Sequence, residues 1–344
     1  MAPPEPRPRA GLDPIARAYR LGTVTACRYL PDGLLNRNWR LDTDAGAFAL
    51  KELDALDPDS ARRSLALTAS VAADGVPVAA AVPAADGTTV AEIGGHGYYL
   101  TPWIDGTHLL GPDMDAGTSF HMGAVIGRIH TALARPGLLP EAGPSTEGPP
   151  TVATAHDRIG DYLDQIAARA EPDAFDRAAE PLLRSRLDLI AAHERLRPSE
   201  DPPAGPAGWT HGDCQNWNLL WRGDRIAAVL DWDRVRPNPY GEEIVRAATY
   251  QFALPDGRID LDNVAALVAG YRTVAGIGSD ALADAARRRW WRLLTSVWHL
   301  KYHYYLDRTA SDRVFFSDER LLRWWTANLD AVEAAFTRGE AGRS

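Results

Sequence analysis

Cysteine is scarce in this chain: Cys27 and Cys214 are the only two among 344 residues, too few for a disulfide framework, and they point to a reducing, cytoplasmic setting. Cys214 also lies inside the polar stretch 211–218, where a bridge would obstruct a ligand. Positive charge is in short supply as well. The net charge is −9 and no lysine- or arginine-rich run occurs, so nucleic acid and anionic membrane are not expected as partners, while a cationic ligand is tolerated. No uncharged apolar run reaches the roughly 18 residues that a membrane span requires. The N-terminus lacks the apolar core of a signal peptide; residues 1–11 are proline-rich instead and are expected to form a disordered leader. There is no internal repeat. What is present is an ordinary globular balance, 45% hydrophobic and 24% charged, enough for a sizeable core in one large domain or two.

The chain changes texture along its length. Residues 13–21 read as a short helix, and 23–30, 39–43 and 47–50 as strands around Pro31-Asp-Gly33 and the turn at 42–46. A helix is expected over 59–73 and two more strands at 88–92 and 97–101, completing a small five-stranded antiparallel sheet. From Met114 onward the patterns are helical, at 116–134, 152–170 and 173–196, and the C-terminal helices hold most of the aromatics. Trp291, Leu294, Trp298, Tyr302 and Tyr305 recur at helical spacing as one stripe, read chiefly as core, with the wall of a ligand pocket as the alternative. His299 and His303 stand four apart on the same pattern without a visible third ligand, and are read as structural. The class is α+β, with a leader at 1–11, a first lobe at 12–103 and a larger helical lobe at 104–344.

Chemistry is concentrated in 209–233. Leu219-Leu220-Trp221 and residues 226–230 are strand-like, and Arg222-Gly223-Asp224-Arg225 between them is turn chemistry, so a hairpin follows. Asn218 just before the first strand and Asp231 just after the second would then lie side by side at the hairpin's open end. An amide oxygen and a carboxylate are hard ligands suited to magnesium, which completes its shell with water and phosphates. Asp213 precedes Asn218 by five residues, and a loop folding back over that spacing would aim its carboxylate at a substrate hydroxyl as base or orienter.

His211-Gly212-Asp213, the spaced Asn218 and Asp231-Trp232-Asp233 together resemble the aminoglycoside phosphotransferase family, which has homoserine kinase and choline kinase relatives. The resemblance extends over roughly residues 20–330. It implies a protein-kinase-like two-lobed fold, with a small antiparallel-sheet lobe and a larger helical lobe, and ATP and Mg2+ bound in the cleft between them. It also implies catalytic roles for Asp213 and His211, metal ligation by Asn218 and Asp231, and a nucleotide-covering loop containing Gly33 and Asn36. Lys51 takes the place of the family's ATP lysine, and the carbonyl of Pro102 and the amide of Ile104 would meet adenine at the hinge 101–106. One departure stands out. The family's helix acid, which normally pairs with that lysine, should fall near Ser64, yet no Asp or Glu occurs between Asp59 and Asp74. Asp59, a carboxylate from elsewhere, or bound nucleotide alone could hold Lys51. Glu242 and Glu243 replace an Asp that family members often carry, and could brace the catalytic loop, line the acceptor pocket or complement a helix N-terminus.

The expected activity is ATP- and magnesium-dependent phosphorylation of a hydroxylated small molecule, an antibiotic or related natural product, with a metabolic kinase of the homoserine or choline type as the alternative. A non-catalytic nucleotide-binding module is disfavoured by the intact Asp213, Asn218 and Asp231. A protein kinase is disfavoured by the absence of Asp-Phe-Gly and Ala-Pro-Glu patterns. Either a monomer or a homodimer is compatible with the sequence.

Overall fold

Hydrophobic alternation in the N-terminal third gives the expected meander. In the computed structural model, which describes residues 6–31, 36–54, 57–141, 148–306 and 308–338, α1 (Leu12–Ala18) leads into β1 (Val24–Leu30), β2 (Arg37–Thr43) and β3 (Gly46–Glu52). Helix α2 (Pro58–Ala73) follows, then β4 (Ala91–Ile93) and β5 (His96–Pro102). The five strands form one antiparallel sheet in the order β1-β2-β3-β5-β4. Its two faces are covered differently. Trp39, Leu41, Leu50, Tyr98 and Leu100 pack with Ile15, Ala16 and Tyr19 of α1, while Leu53 and Tyr99 pack with Ala61 and Leu65 of α2. Asp57 starts α2 by accepting from the backbone N–H groups of Asp59 and Ser60, at 3.1 and 3.0 Å, with Pro58 at the first helical position.

The leader departs from expectation. From residue 6 it is pinned to the sheet: Trp39 Nε1 donates to the Pro6 carbonyl at 2.7 Å, Arg9 N–H donates to Glu52 at 2.8 Å, and Ala10 N–H donates to the Tyr98 hydroxyl at 3.0 Å. Glu52 is fully buried, and a buried carboxylate and a buried indole need such partners. Residues 1–5 lie outside the described residues.

Beyond β5 come α3 (Ala116–Leu133), α4 (Val152–Ala167), α5 (Ala174–His193), β6 (Ala207–Thr210), the hairpin β7 (Leu219–Arg222) and β8 (Arg225–Val229), and β9 (Arg236–Pro239). The chain ends in α6 (Tyr240–Gln251), α7 (Leu261–Arg272), α8 (Ser279–Thr295), α9 (Trp298–Leu306), α10 (Asp312–Ala327) and α11 (Leu329–Thr337). Packing divides the chain into two compact units, one of residues 1–109, 131–140 and 211–236, the other of the remainder. Residues 211–236, expected with the helical lobe, therefore pack with the sheet. Backbone bonds show why: Val229 N–H donates to Pro77 O at 2.7 Å, and Thr107 and Trp221 exchange a pair at 2.9 and 2.8 Å.

In the helical unit Trp290, Trp291, Phe315 and Trp325 are core. The long aromatic stripe is not one helix, because α8 ends at Thr295 with Ser296 extended, and α9 restarts at Trp298. Trp298, Tyr302 and Tyr305 are accordingly exposed while Trp291 and Leu294 are buried. His299 and His303 each face a carboxylate of α10, Asp318 and Asp312, at 3.0 Å. Glu243 is buried against His130 Nε2 at 2.6 Å, and Glu242 pairs with Arg292 at 3.2 Å.

Candidate active site

Asp231 enters the site through its backbone. Just past β8 the chain turns left-handed there, with φ 60° and ψ 66°, a region that Asp and Asn enter more readily than other side-chain-bearing residues. Trp232 holds the turn from beneath: it is buried, its indole N–H donates to Val229 O at 3.1 Å, and its ring meets the edge of His211 at 4.8 Å. Leu230 N–H donates to Asn218 O at 2.8 Å. The entrance to β7 and the exit from β8 thus lie side by side, as the hairpin reading requires.

The loop before β7 is fixed from several directions. Gly212 has φ +80°, and a Cβ there would lie 2.2 Å from the Arg234 carbonyl oxygen, so both backbone conformation and space demand glycine. Asp213 N–H donates to His211 Nδ1 at 3.3 Å, and the Asp213 carbonyl accepts from Asn218 Nδ2 at 2.8 Å. His211 Nε2 donates to Leu230 O at 3.0 Å. With both ring nitrogens engaged by backbone and the side chain buried, His211 braces the loop, while Asp213 presents the carboxylate. Arg234 approaches that carboxylate at 4.0 Å.

Lys51 sits on β3 opposite Tyr99 of β5, on the sheet face that α2 covers. Its Nζ lies 3.1 Å from Asp231 Oδ1 and 3.5 Å from Asp233 Oδ2, and 5.5 Å from the centre of the Tyr99 ring. Burial by itself would push the ammonium down, but Tyr99, Asp231 and Asp233 outweigh it and hold the group above its ordinary range. Burial likewise opposes ionisation of Asp231, where contact with Lys51 prevails and leaves it low; Asp233 is pushed up by burial, pulled down by Lys51 and left raised by its neighbour Asp231.

A divalent cation fits the donors present. The Asn218 nitrogen is occupied by the Asp213 carbonyl, so its oxygen is the atom left for a ligand, and with the Asp231 carboxylate it forms an all-oxygen set suited to magnesium. At the end of β5, Trp103 N–H donates to Ala47 O at 2.9 Å. Strand alternation turns the Pro102 carbonyl to the opposite edge, the one on which Leu100 O accepts from Val82 N–H at 2.8 Å. Beyond that bond the edge is open, and among the described residues the Ile104 amide has no partner. Asn36 Oδ1 accepts from Asp54 N–H at 3.1 Å, tying the start of β2 to the end of β3. Gly33 lies outside the described residues.

The sequence matches the phosphotransferase enzyme family over residues 26–291. The chain belongs to that family. Among its relatives, a homoserine kinase of Burkholderia cenocepacia (strain HI2424) is 32% identical over 116 residues, a match spanning 34% of this chain and 34% of that protein. A homoserine kinase of Burkholderia multivorans is 26% identical over 311 residues, covering 86% of this chain and 85% of that one. The structure of a spectinomycin phosphotransferase with ADP and spectinomycin aligns at a TM-score of 0.66 and 12% identity, over 94% of this chain and 96% of that one, and shares its kinase-like fold.

Three features of this family member had gone without a role on the sequence alone. Asp233, the second acid of Asp-Trp-Asp, faces Lys51. Gly212 makes the close approach to Arg234. Trp217, immediately before Asn218, is 56% exposed, with its ring 5.4 Å from His108. The signal was available for the first two, in an acid repeated on either side of Trp232 and a glycine beside Asp213; the third had no signal beyond residue type.

Proposed function

We propose that this family member transfers the γ-phosphoryl group of ATP, with magnesium, to a hydroxyl of a small ring-bearing molecule, an antibiotic or related natural product. The observation that carries the reading is the 3.1 Å contact between Lys51 and Asp231, which joins the phosphate cation to the metal-binding end of the hairpin. Asp213 accepts the proton of the acceptor hydroxyl, the oxygen forms its bond to the γ-phosphorus, and the bond to the β–γ bridging oxygen breaks with its electron pair leaving on ADP. Asp213 then returns the proton to solvent. Lys51 balances charge on the phosphates, and Asn218 and Asp231 would hold magnesium, which supplies positive charge against the same oxygens. The Pro102 carbonyl and the Ile104 amide are assigned to adenine, and His211 keeps the Asp213 loop in place.

The acceptor class rests on Trp217. Its ring is not loose: His108 Nδ1 donates to the carbonyls of Asn216 and Leu219, at 3.2 and 3.0 Å, and stands against the indole. A braced, exposed indole four residues after the base offers a flat face to a cyclic acceptor. The second reading, a small amino alcohol such as homoserine, is favoured by the 26% identity to a homoserine kinase over 86% of the chain. A panel of aminoglycoside, macrolide, peptide and nucleoside antibiotics beside homoserine and choline separates the two, read by ADP release and mass gain. Ring-bearing acceptors should be phosphorylated, and Trp217→Ala should lower their kcat/KM by roughly tenfold, the scale of a lost stacking contact. Turnover of homoserine or choline alone, unaffected by Trp217→Ala, would reverse the ranking.

A further inference from the structure

The resemblance implies an acid near position 64 of α2 as the partner of Lys51, and Ser64 stands there instead. Asp59, the nearest acid on that helix, is not the substitute: its side chain is 75% exposed and pairs with Arg62 at 2.7 Å. Ser64 nevertheless faces the site. Its Oγ lies 3.5 Å from Asp233 Oδ1, while the other oxygen of the same carboxylate, Oδ2, lies 3.5 Å from Lys51 Nζ. One carboxylate therefore spans from the helix to the lysine. Asp233 belongs to the single turn Trp232–Arg234, whose Trp232 is buried and bonded to Val229, so its own backbone is anchored independently of any ligand.

Resting on the phosphotransfer reading above, we propose that Asp233 is the positioning residue for Lys51: the acid expected on α2 is delivered instead from just beyond the open end of the β7–β8 hairpin and docked on α2 through Ser64. The two carboxylates then divide the work by position. Asp231 stands nearer the exposed rim and is the one that can turn to a cation. Asp233 is less exposed, faces α2, and keeps hold of the lysine when Asp231 is drawn away. A lysine serving phosphates needs one carboxylate that the metal does not take. The lysine and the metal ligand thus hang from one short segment, 231–233, which makes a charge on α2 unnecessary.

The chain itself provides a clean probe, since Lys51 and Lys301 are its only lysines and Lys301 is exposed. Acetylation by an N-hydroxysuccinimide ester, followed by mass spectrometry on the folded full-length protein, gives the rate at Lys51 relative to Lys301, with and without magnesium chloride. No acceptor has to be known, so the outcome is independent of whether the phosphotransfer reading holds. In the unaltered protein Lys51 should stay protected when magnesium is added. In Asp233→Asn it should react on the order of tenfold faster, the factor for losing a charge-assisted contact, and most of all with magnesium present. Ser64→Glu placed on the Asp233→Asn background should restore protection from the helix side. The assignment is overturned if Lys51 is equally protected in Asp233→Asn and the unaltered protein, or if protection is lost in Asp233→Asn with no recovery in a folded Ser64→Glu double variant. If Asp233 were instead a metal ligand, Asp233→Asn would weaken magnesium binding by calorimetry and leave the lysine rate unchanged, which also overturns it.

Discussion

At the scale of single residues, the site depends on backbone positions as much as on charge. Asp231 tolerates its left-handed conformation because its short polar side chain suits that region, and the turn aims the carboxylate at Lys51 instead of continuing β8. Gly212 is the counterpart in the other loop. Alanine there would meet the Arg234 carbonyl at 2.2 Å and would be strained at φ +80°. Gly212→Ala should lower stability by about 1–3 kcal/mol, or displace the Asp213 loop and lose activity to a similar factor; urea unfolding together with turnover measures both. An unchanged midpoint with full activity would show that the approach to Arg234 is relaxed in solution. That His211, Asp213, Asn218 and Asp231 come together was legible because their spacing and the hairpin pattern between them are local. Asp233 reads only as part of the motif, because its approach to Ser64, 169 positions away in sequence, is nonlocal.

At the scale of elements, the periodic patterns located helices and strands well, and the misses have nonlocal causes. The break between α8 and α9 falls at Ser296 and Val297, with neither proline nor glycine to announce it. What meets the end of α8 is a side chain from another helix: Arg186 of α5 donates through Nη1 to the carbonyls of Leu293, Leu294 and Ser296 at 2.7, 3.2 and 2.9 Å. Its Nε donates to Glu319 of α10 at 2.8 Å, with both side chains buried. These bonds satisfy the orphan carbonyls of the last turn. Arg186→Met should destabilise the protein by about 3–5 kcal/mol, because it leaves the buried Glu319 carboxylate with only the partly exposed Arg323, at 3.3 Å, as a charged partner. Adding Glu319→Leu should recover a substantial part, and chemical denaturation of the pair compares them. Equal loss in the single and double variants would mean that the cost lies in the α8 carbonyls and not in the stranded carboxylate. The leader is a second case, since nothing within residues 6–11 foretells that Glu52, Tyr98 and Trp39 each offer it a partner.

At the scale of the whole molecule, the order of a small sheet followed by helices was legible from texture, and the family match bears out the kinase-like fold. The membership of 211–236 in the sheet-bearing unit was not, because it rests on backbone bonds to Pro77 and Thr107 that no local pattern encodes. That arrangement has a functional sense: the Asp213 loop, the proposed metal ligands Asn218 and Asp231, and Lys51 all belong to one compact unit, so their distances are set together. Phosphoryl transfer by this unit with Asp213 as base is what we propose. Its most direct test is single-turnover conversion of ATP to ADP with magnesium and a phosphorylatable acceptor from the panel, comparing the unaltered protein with Asp213→Asn. ADP and phosphorylated acceptor should appear in equal amounts from the unaltered protein, and the rate should fall by roughly 10²-fold or more in a folded Asp213→Asn protein that still binds nucleotide. A folded Asp213→Asn protein that transfers phosphoryl at the unaltered rate would contradict it.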